Sequence, residues 1–427
     1  MSVASSTTVA TTGYTPRERK RIMAAASLGW GLEFFDLMLV SLLVAPIASH
    51  FGVSIAEMSI VFTAQLIATA VGGVFFGRLA DVYGRKRVLT WTIWVFGLAT
   101  VACAFAPSFL VFVLLRIVTG FGVGGEWAVG FSLLNEAWNP KRRGLAGGAV
   151  QAAVWFGYAA AIAVTGAVGD NWRVAFLVGG LPVLAAIWIR VGCPESHQWL
   201  AMHQGQVGSG SDPGASSPDA AAEPGGLRRL LDPENLPVVI IGTLVVLGGQ
   251  YSYYVYSSWM PTYLKADLGV TPGDAQQILY ASAAIALVSY LVSGGLSDYV
   301  GRRPSLIAFA LIQLVGFGMF VIFNMQGASV SLIVLSYFVI SFGLGYFGIF
   351  GAWLGELFPT PIRATASSFA YSIGRGIASF GPFIVGVLAA DYGLAGGIST
   401  GAVAVLVMIG FSFFLKDQKG REITATT

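Results

Sequence analysis

The chain has 427 residues, 56% of them hydrophobic and only 11% charged, with a formal net charge of +3 and a mean hydropathy of +0.74. So little charge cannot cover the surface of a water-soluble protein of this length, which excludes that class and points to a chain that crosses a membrane many times. Gly 55 and an aromatic content of 13% fit the same class, because small residues let helices approach closely and aromatic rings favour bilayer interfaces.

Residues 1–21 form a polar tail that ends in Arg17, Arg19, Lys20 and Arg21. They show no cleavable signal peptide, so the first apolar run is expected to act as its own insertion signal. Apolar windows bounded by Gly, Pro and charge predict an all-α membrane protein with spans at 22–48, 56–77, 88–105, 108–134, 144–168 and 172–192, then 236–258, 273–296, 304–324, 328–355, 364–390 and 395–415. The two sets of six, 22–192 and 236–415, flank a Gly-, Ser- and Pro-rich linker at 193–235, and a short tail follows at 416–427. Of 24 Lys and Arg residues, 20 fall on one side of this topology, which by the positive-inside rule puts both termini and the linker in the cytoplasm of a cell-membrane protein.

The first span, "GWGLEFFDLMLVSLLVAP", places Glu33 and Asp36 roughly 16–21 Å deep at 1.5 Å per residue. A carboxylate at the bilayer centre costs at least ~2.5–3.5 kcal/mol, so the pair calls for a role. At i and i+3 the two share a face, and they are expected to be either a proton site or a structural pair satisfied by backbone or an Arg. In the fourth span, Arg116 and Glu126 are expected to be a helix-linking pair or a proton relay. Gln151 in the fifth is a polar candidate of similar depth. Arg375, deep in the eleventh, cannot shed its charge and needs an anion, either the Glu33/Asp36 pair or the carboxylate of a substrate.

The two halves repeat. "GRLADVYGRKR" at 77–87 is echoed by "GGLSDYVGRRP" at 294–304, and "NEAWNPKRRG" at 135–144 by "GELFPTPIRA" at 355–364. The first alignment sets Asp81 on Asp298, and the second sets Glu136 on Glu356 and Arg143 on Arg363, at offsets of 217 and 220. Parallel six-helix repeats suit a transporter. In the same register Glu33 falls on Gln250 and Asp36 on Tyr253, so the seventh span offers neutral groups opposite the acids. Gln250, Tyr253 and Tyr254, with Tyr371 as a further candidate, are expected to line a small, partly aromatic pocket. The loop residues Asp81, Arg85, Glu136, Arg143, Asp298, Arg302, Glu356 and Arg363 are expected to form a cytoplasmic gate, in which an Asp caps a neighbouring helix and the Arg residues pair with acids.

These motifs resemble the major facilitator superfamily over essentially the whole chain. The resemblance rests on Gly77, Leu79, Asp81, Gly84, Arg85 and Lys86 in the loop after the second span, a degenerate copy from Gly295 to Arg303, and Arg116, Gly120, Gly122 and Gly124 in the fourth. "LEFFD" and "GGEWAVGFSLLNEAWNPKRRG" are similar to the proton-coupled organic-anion branches, comprising sialate/lactate, aromatic-acid and metabolite symporters, whose first helix carries D-x-x-D or E-x-x-D. The resemblance implies alternating-access symport of a small organic anion with a proton. A monocarboxylate such as lactate or pyruvate is the leading expectation; symport of aromatic acids, sialate or other metabolites, or a proton antiport that exports a drug or metabolite, are the alternatives. No enzymatic constellation appears: there is no H-E-x-x-H or G-x-S-x-G, and two cysteines and three histidines are scattered. The proton is the only expected coupling ion, with no cofactor, metal or nucleic acid, and the chain is expected to act as a monomer in the bilayer.

Overall fold

The computed structural model describes residues 14–138, 142–180, 184, 188–189, 192–196, 200, 230–358 and 363–417, excluding certain side chains, among them those of Asp81, Glu136 and Arg363. Those three gate candidates therefore lie outside the described side chains, and most of the linker and the end of the sixth span lie outside the described residues.

The first helix, α1, runs Pro16–Leu42. Thr15 and Glu18 form a reciprocal capping box and Pro16 fits the first turn, so the helix starts before residue 22. Arg17, Arg19, Lys20 and Arg21 consequently ride on its opening turns. A short α2 (Val44–Phe51) completes the first span. Then come α3 (Ile55–Tyr83), α4 (Arg85–Cys103), α5 (Phe109–Ala137), α6 (Arg143–Val168) and α7 (Trp172–Val178), the last opening the sixth span.

The second half contains α8 (Leu236–Ala266), α9 (Pro272–Val300), α10 (Arg302–Met325) and α11 (Val330–Gly343), with a 3-10 turn at Leu344–Tyr346 leading into α12 (Phe347–Leu357). It closes with α13 (Arg363–Ala378) and α14 (Gly381–Ser412). The eleventh span breaks after Ala378 and resumes in α14, and the twelfth begins at Gly393, where φ is +69°. Nine stretches among the described residues are long and apolar enough to cross a bilayer, with the eleventh and twelfth spans merged into one. The third falls short because Arg85, Lys86 and Arg87 occupy its first turn.

Backbone-to-backbone packing explains the glycine pattern. A Cβ at Gly120 would lie 2.1 Å from the Gln65 carbonyl oxygen, and one at Gly124 would lie 2.0 Å from that of Thr69, so α5 can lie on α3 only with glycine there. Between the halves, α6 runs along α9 and α3 along α13. The halves meet at both ends. At one end Asp298 on α9 holds the start of α6, and at the other Ser41 Oγ donates to the Ser258 carbonyl (3.2 Å), Thr63 Oγ1 to that of Ser379 (3.3 Å) and Gln276 Nε2 to that of Ile162 (3.3 Å). The arrangement is closed on both sides.

Candidate functional site

Two guanidinium–carboxylate pairs lie inside the bundle, with all four groups buried. In the first half, Arg116 Nη1 donates to Asp36 Oδ1 (2.9 Å) and Nη2 to Oδ2 (2.6 Å) in a bidentate fork. Gln65 braces the fork: its Oε1 accepts from Arg116 Nε (3.2 Å) and Nη2 (2.8 Å), while its Nε2 donates to Asp36 Oδ2 (3.4 Å). Thr100 Oγ1 donates to Asp36 Oδ1 at 2.5 Å. Asp36 is thus fully occupied by α3, α4 and α5.

Glu33, one turn earlier on α1, is held from the other half. Its Oε1 accepts from Arg375 Nη2, and Arg375 Nε donates to Tyr254 Oη (2.7 Å). Glu33 Oε2 is buried without a hydrogen-bond partner. The guanidinium carbon of Arg375 also stands 5.7 Å from the centroid of the Trp30 ring, over its face. The two acids predicted to form one site are therefore engaged separately, because neighbours from different halves reach them.

Arg116 and Glu126, read from sequence as a pair, are not one: Arg116 takes Asp36, and Glu126 Oε1 lies 2.6 Å from Thr92 Oγ1. The other oxygen of Glu126 rests against α1, where a Cβ at Gly29 would come within 2.2 Å of it. A bulkier residue at position 29 would displace that carboxylate.

Beside the Glu33–Arg375 pair is a cavity of about 10 Å³ lined by Trp30, Phe34, Gln151, Val154, Tyr253, Tyr290, Phe347 and Tyr371. Three of the six pocket candidates, Gln151, Tyr253 and Tyr371, form its wall. The other three are one contact away: Arg375, Tyr254 on its guanidinium, and Gln250, which hydrogen-bonds to Tyr371. Gln151 Nε2 donates to the Phe347 carbonyl (3.1 Å), joining the halves across the cavity. Ring contacts tie the wall together and back it: Tyr253 meets Phe34 (5.9 Å between centroids) and Phe347 (5.6 Å) within the lining, and Trp155 (6.4 Å) outside it. Such a volume accommodates about one water, so an organic molecule fits only when the halves part.

At the end that carries the loop motifs, Asp298 accepts from the backbone N–H of Gly144 (3.1 Å) and Leu145 (3.0 Å), the first turn of α6 in the opposite half. Arg302 Nη1 donates to Asp298 Oδ1 (2.7 Å), and its Nε and Nη2 form a fork on Glu356 (3.0 and 2.9 Å). Arg143 is close enough to act on Glu356 electrostatically. Arg85 occupies the position in α4 that Arg302 occupies in α10, and it is buried.

Sequence reasoning missed several members. Gln65 and Thr100 brace Asp36, and Trp30, Phe34, Tyr290 and Phe347 build the cavity wall. Glu195 accepts from the Lys86 N–H (3.1 Å) and Asp417 from the Arg302 N–H (3.1 Å), so each half ends with an acid on the N-terminus of its own third span. A lone Gln in an apolar span was a usable signal for Gln65. The others look like ordinary span or loop residues.

Two six-helix halves that bury ion pairs at mid-depth and close around a small cavity define a multi-pass membrane transporter. The family model described as Major Facilitator Superfamily matches residues 26–346 and 242–426, and the chain belongs to that family. It is 30% identical over 407 residues to a protein of Cupriavidus pinatubonensis named "Probable 4-methylmuconolactone transporter", covering 94% of this chain and 90% of that one. It is 27% identical over 422 residues to the cis,cis-muconate transport protein of Acinetobacter baylyi, covering 95% and 98%. Among solved structures, the proton:xylose symporter XylE bound to 6-bromo-6-deoxy-D-glucose superposes with a TM-score of 0.78 at 20% identity, covering 96% and 98% of the two chains, a likeness of fold. The protein is a membrane transporter of this family and not an enzyme.

Proposed function

We propose that the protein takes up a small organic carboxylate together with a proton, and that a planar unsaturated or aromatic acid suits it better than lactate or pyruvate. One observation carries the reading: the Glu33–Arg375 pair joins the two halves beside the aromatic cavity. An incoming carboxylate replaces Glu33 on Arg375, and Glu33 takes up a proton as it lets go. A buried carboxylate without its cation is costly, so release and protonation occur together. The halves then rock, the acid leaves on the other side, and Glu33 returns its proton there and re-forms the pair. Asp36, Arg116 and Glu126 stay within the first half through this cycle; the Asp36 fork fixes α1 against α3, α4 and α5, and Glu126 offers a second proton-holding group one turn from Glu33. Six of the eight residues lining the cavity are aromatic, which favours a flat cargo. The names of the relatives, a methylmuconolactone and a muconate transporter, agree with such a cargo.

In this reading the motif-bearing end, with its basic loops, faces the cytoplasm and one chain is the working unit. The test is uptake of radiolabelled benzoate, cis,cis-muconate and lactate into proteoliposomes with an inward proton gradient. Benzoate or muconate should accumulate well above lactate. Accumulation of lactate alone would remove the planar-acid reading, and efflux driven by the same gradient would replace symport with antiport.

A further inference from the structure

Trp30 has a feature that neither the ion pair nor the packing uses. Its ring is buried and lines the cavity, yet its Nε1–H has no hydrogen-bond partner. Burying a donor without an acceptor forfeits its hydration for nothing, so each such group calls for an explanation, and for one that lines a cavity a bound ligand is the direct one. The two faces and the edge of the ring have separate tasks. Arg375 stands over a face, and Phe34 meets the ring in a T-shaped contact at 5.2 Å. The N–H lies in the plane of the indole, so it points away from the normal on which the guanidinium sits. A carboxylate in the fork of Arg375 is therefore addressed by Arg375, while the indole N–H addresses another part of the same molecule.

We infer that Trp30 is a specificity residue whose indole N–H donates to a second oxygen of the bound acid, remote from the carboxylate on Arg375. The favoured cargo is then an oxygenated planar acid whose second oxygen is a hydroxyl, a carbonyl or a further carboxylate. This rests on the reading that the aromatic cavity takes a planar carboxylate. Glu33 Oε2, three residues along the same helix face and beside the cavity rather than in its lining, is also buried without a partner. A purely hydrocarbon acid would leave the Trp30 donor unmatched. An oxygenated one satisfies it, and sites built this way discriminate by the penalty of leaving a buried donor unpaired.

The test is calorimetric binding of benzoate, 3-hydroxybenzoate and 4-hydroxybenzoate to the purified full-length protein, with Trp30→Phe and Trp155→Phe beside wild type. Trp155 is the control, since its Nε1 is equally buried and unpartnered but its ring packs on Tyr253 and Tyr290 outside the cavity lining. Wild type should bind one hydroxybenzoate about three- to tenfold more tightly than benzoate, the worth of one neutral hydrogen bond. Trp30→Phe should bring that ratio close to one, whatever the change in benzoate affinity itself, and Trp155→Phe should keep the wild-type ratio. A ratio that survives Trp30→Phe, collapses only in Trp155→Phe, or is absent from wild type overturns the assignment. Benzoate that fails to bind wild type at all removes the planar-acid reading itself, a distinct outcome. Should Trp30→Phe not fold, Trp30→Tyr replaces the indole donor with a phenol at a different position, and an unchanged preference between the two hydroxybenzoates would equally overturn the role.

Discussion

Glu33 and Asp36 stand one turn apart on α1, and each is held by a guanidinium from a different half of the protein: Arg375 for the first and Arg116 for the second. The Asp36 pair moves with its own half, whereas the Glu33 pair must stretch or break whenever the halves separate. A contact that breaks on rocking can be coupled to a ligand; one that does not break is a brace.

Neutralising these acids should therefore have different consequences. Glu33→Gln is expected to lose accumulation driven by a pH gradient while keeping substrate counterflow, because the amide mimics the protonated acid and leaves Arg375 free for cargo. Its thermal stability should fall without ligand and recover when an acid is added, since the ligand supplies the missing anion. Asp36→Asn leaves Arg116 buried without its anion, at a cost of about 3–5 kcal/mol that added substrate should not restore. Wild-type accumulation by Glu33→Gln would end the coupling role of that residue.

The exchange at Arg375 also sets the charge carried. One monocarboxylate enters with one proton on Glu33, so transport of a monocarboxylate is expected to be electroneutral. In proteoliposomes a potassium diffusion potential alone should give no accumulation, and a pH gradient alone should suffice. Accumulation driven by a potential without a pH gradient would require a second proton per cycle, with Asp36 or Glu126 as its carrier.

Arg375 should not tolerate even lysine. The guanidinium reaches Glu33 and Tyr254 through separate nitrogens, a geometry that a single ammonium cannot reproduce. Arg375→Lys is expected to weaken binding of the acid by about 1.5–3 kcal/mol, roughly ten- to a hundredfold, and to affect the corresponding amide much less. Calorimetry on acid and amide with both proteins closes the cycle. Equal losses would mean that Arg375 holds the bundle together and that the carboxylate is read elsewhere.

How much of this was legible beforehand follows from the kind of signal each residue gives. Glu33, Asp36, Arg116 and Arg375 stand out because charge in an apolar run is expensive, and the twelve-span layout follows from hydropathy and the loop repeats. Their pairing was not legible. The i, i+3 spacing says that Glu33 and Asp36 share a face of α1, but only the crossing of α5 and α13 over that helix decides which guanidinium reaches which carboxylate. The cavity wall was half legible: Gln151, Tyr253 and Tyr371 were candidates, whereas Trp30, Phe34, Tyr290 and Phe347 look in sequence like the rings found along any span. Glu195 and Asp417 were hidden by distance, since they lie far along the chain from the loops they cap.

The last expectation concerns the closed end that carries the loop motifs. Asp298 accepts two backbone N–H groups at the start of α6 and is itself held by Arg302, which is anchored on Glu356. The contact to α6 crosses between the halves, so it stabilises only states in which this end is shut. Asp298→Asn keeps one acceptor oxygen but gives up the charge that favours a helix N-terminus, a loss of about 0.5–2 kcal/mol. The ratio of states closed at this end to states open should fall by roughly two- to thirtyfold. Binding at the Glu33–Arg375 site should change little, because Asp298 lies at the opposite end of α9 from the hydrogen bond that Gln276 makes to α6, and away from the cavity wall. Labelling of single cysteines placed at the two ends reads the ratio directly. Greater labelling at the motif end with less at the other is the expected pattern; an unchanged pattern would reduce the Asp298 contact to a static cap on α6.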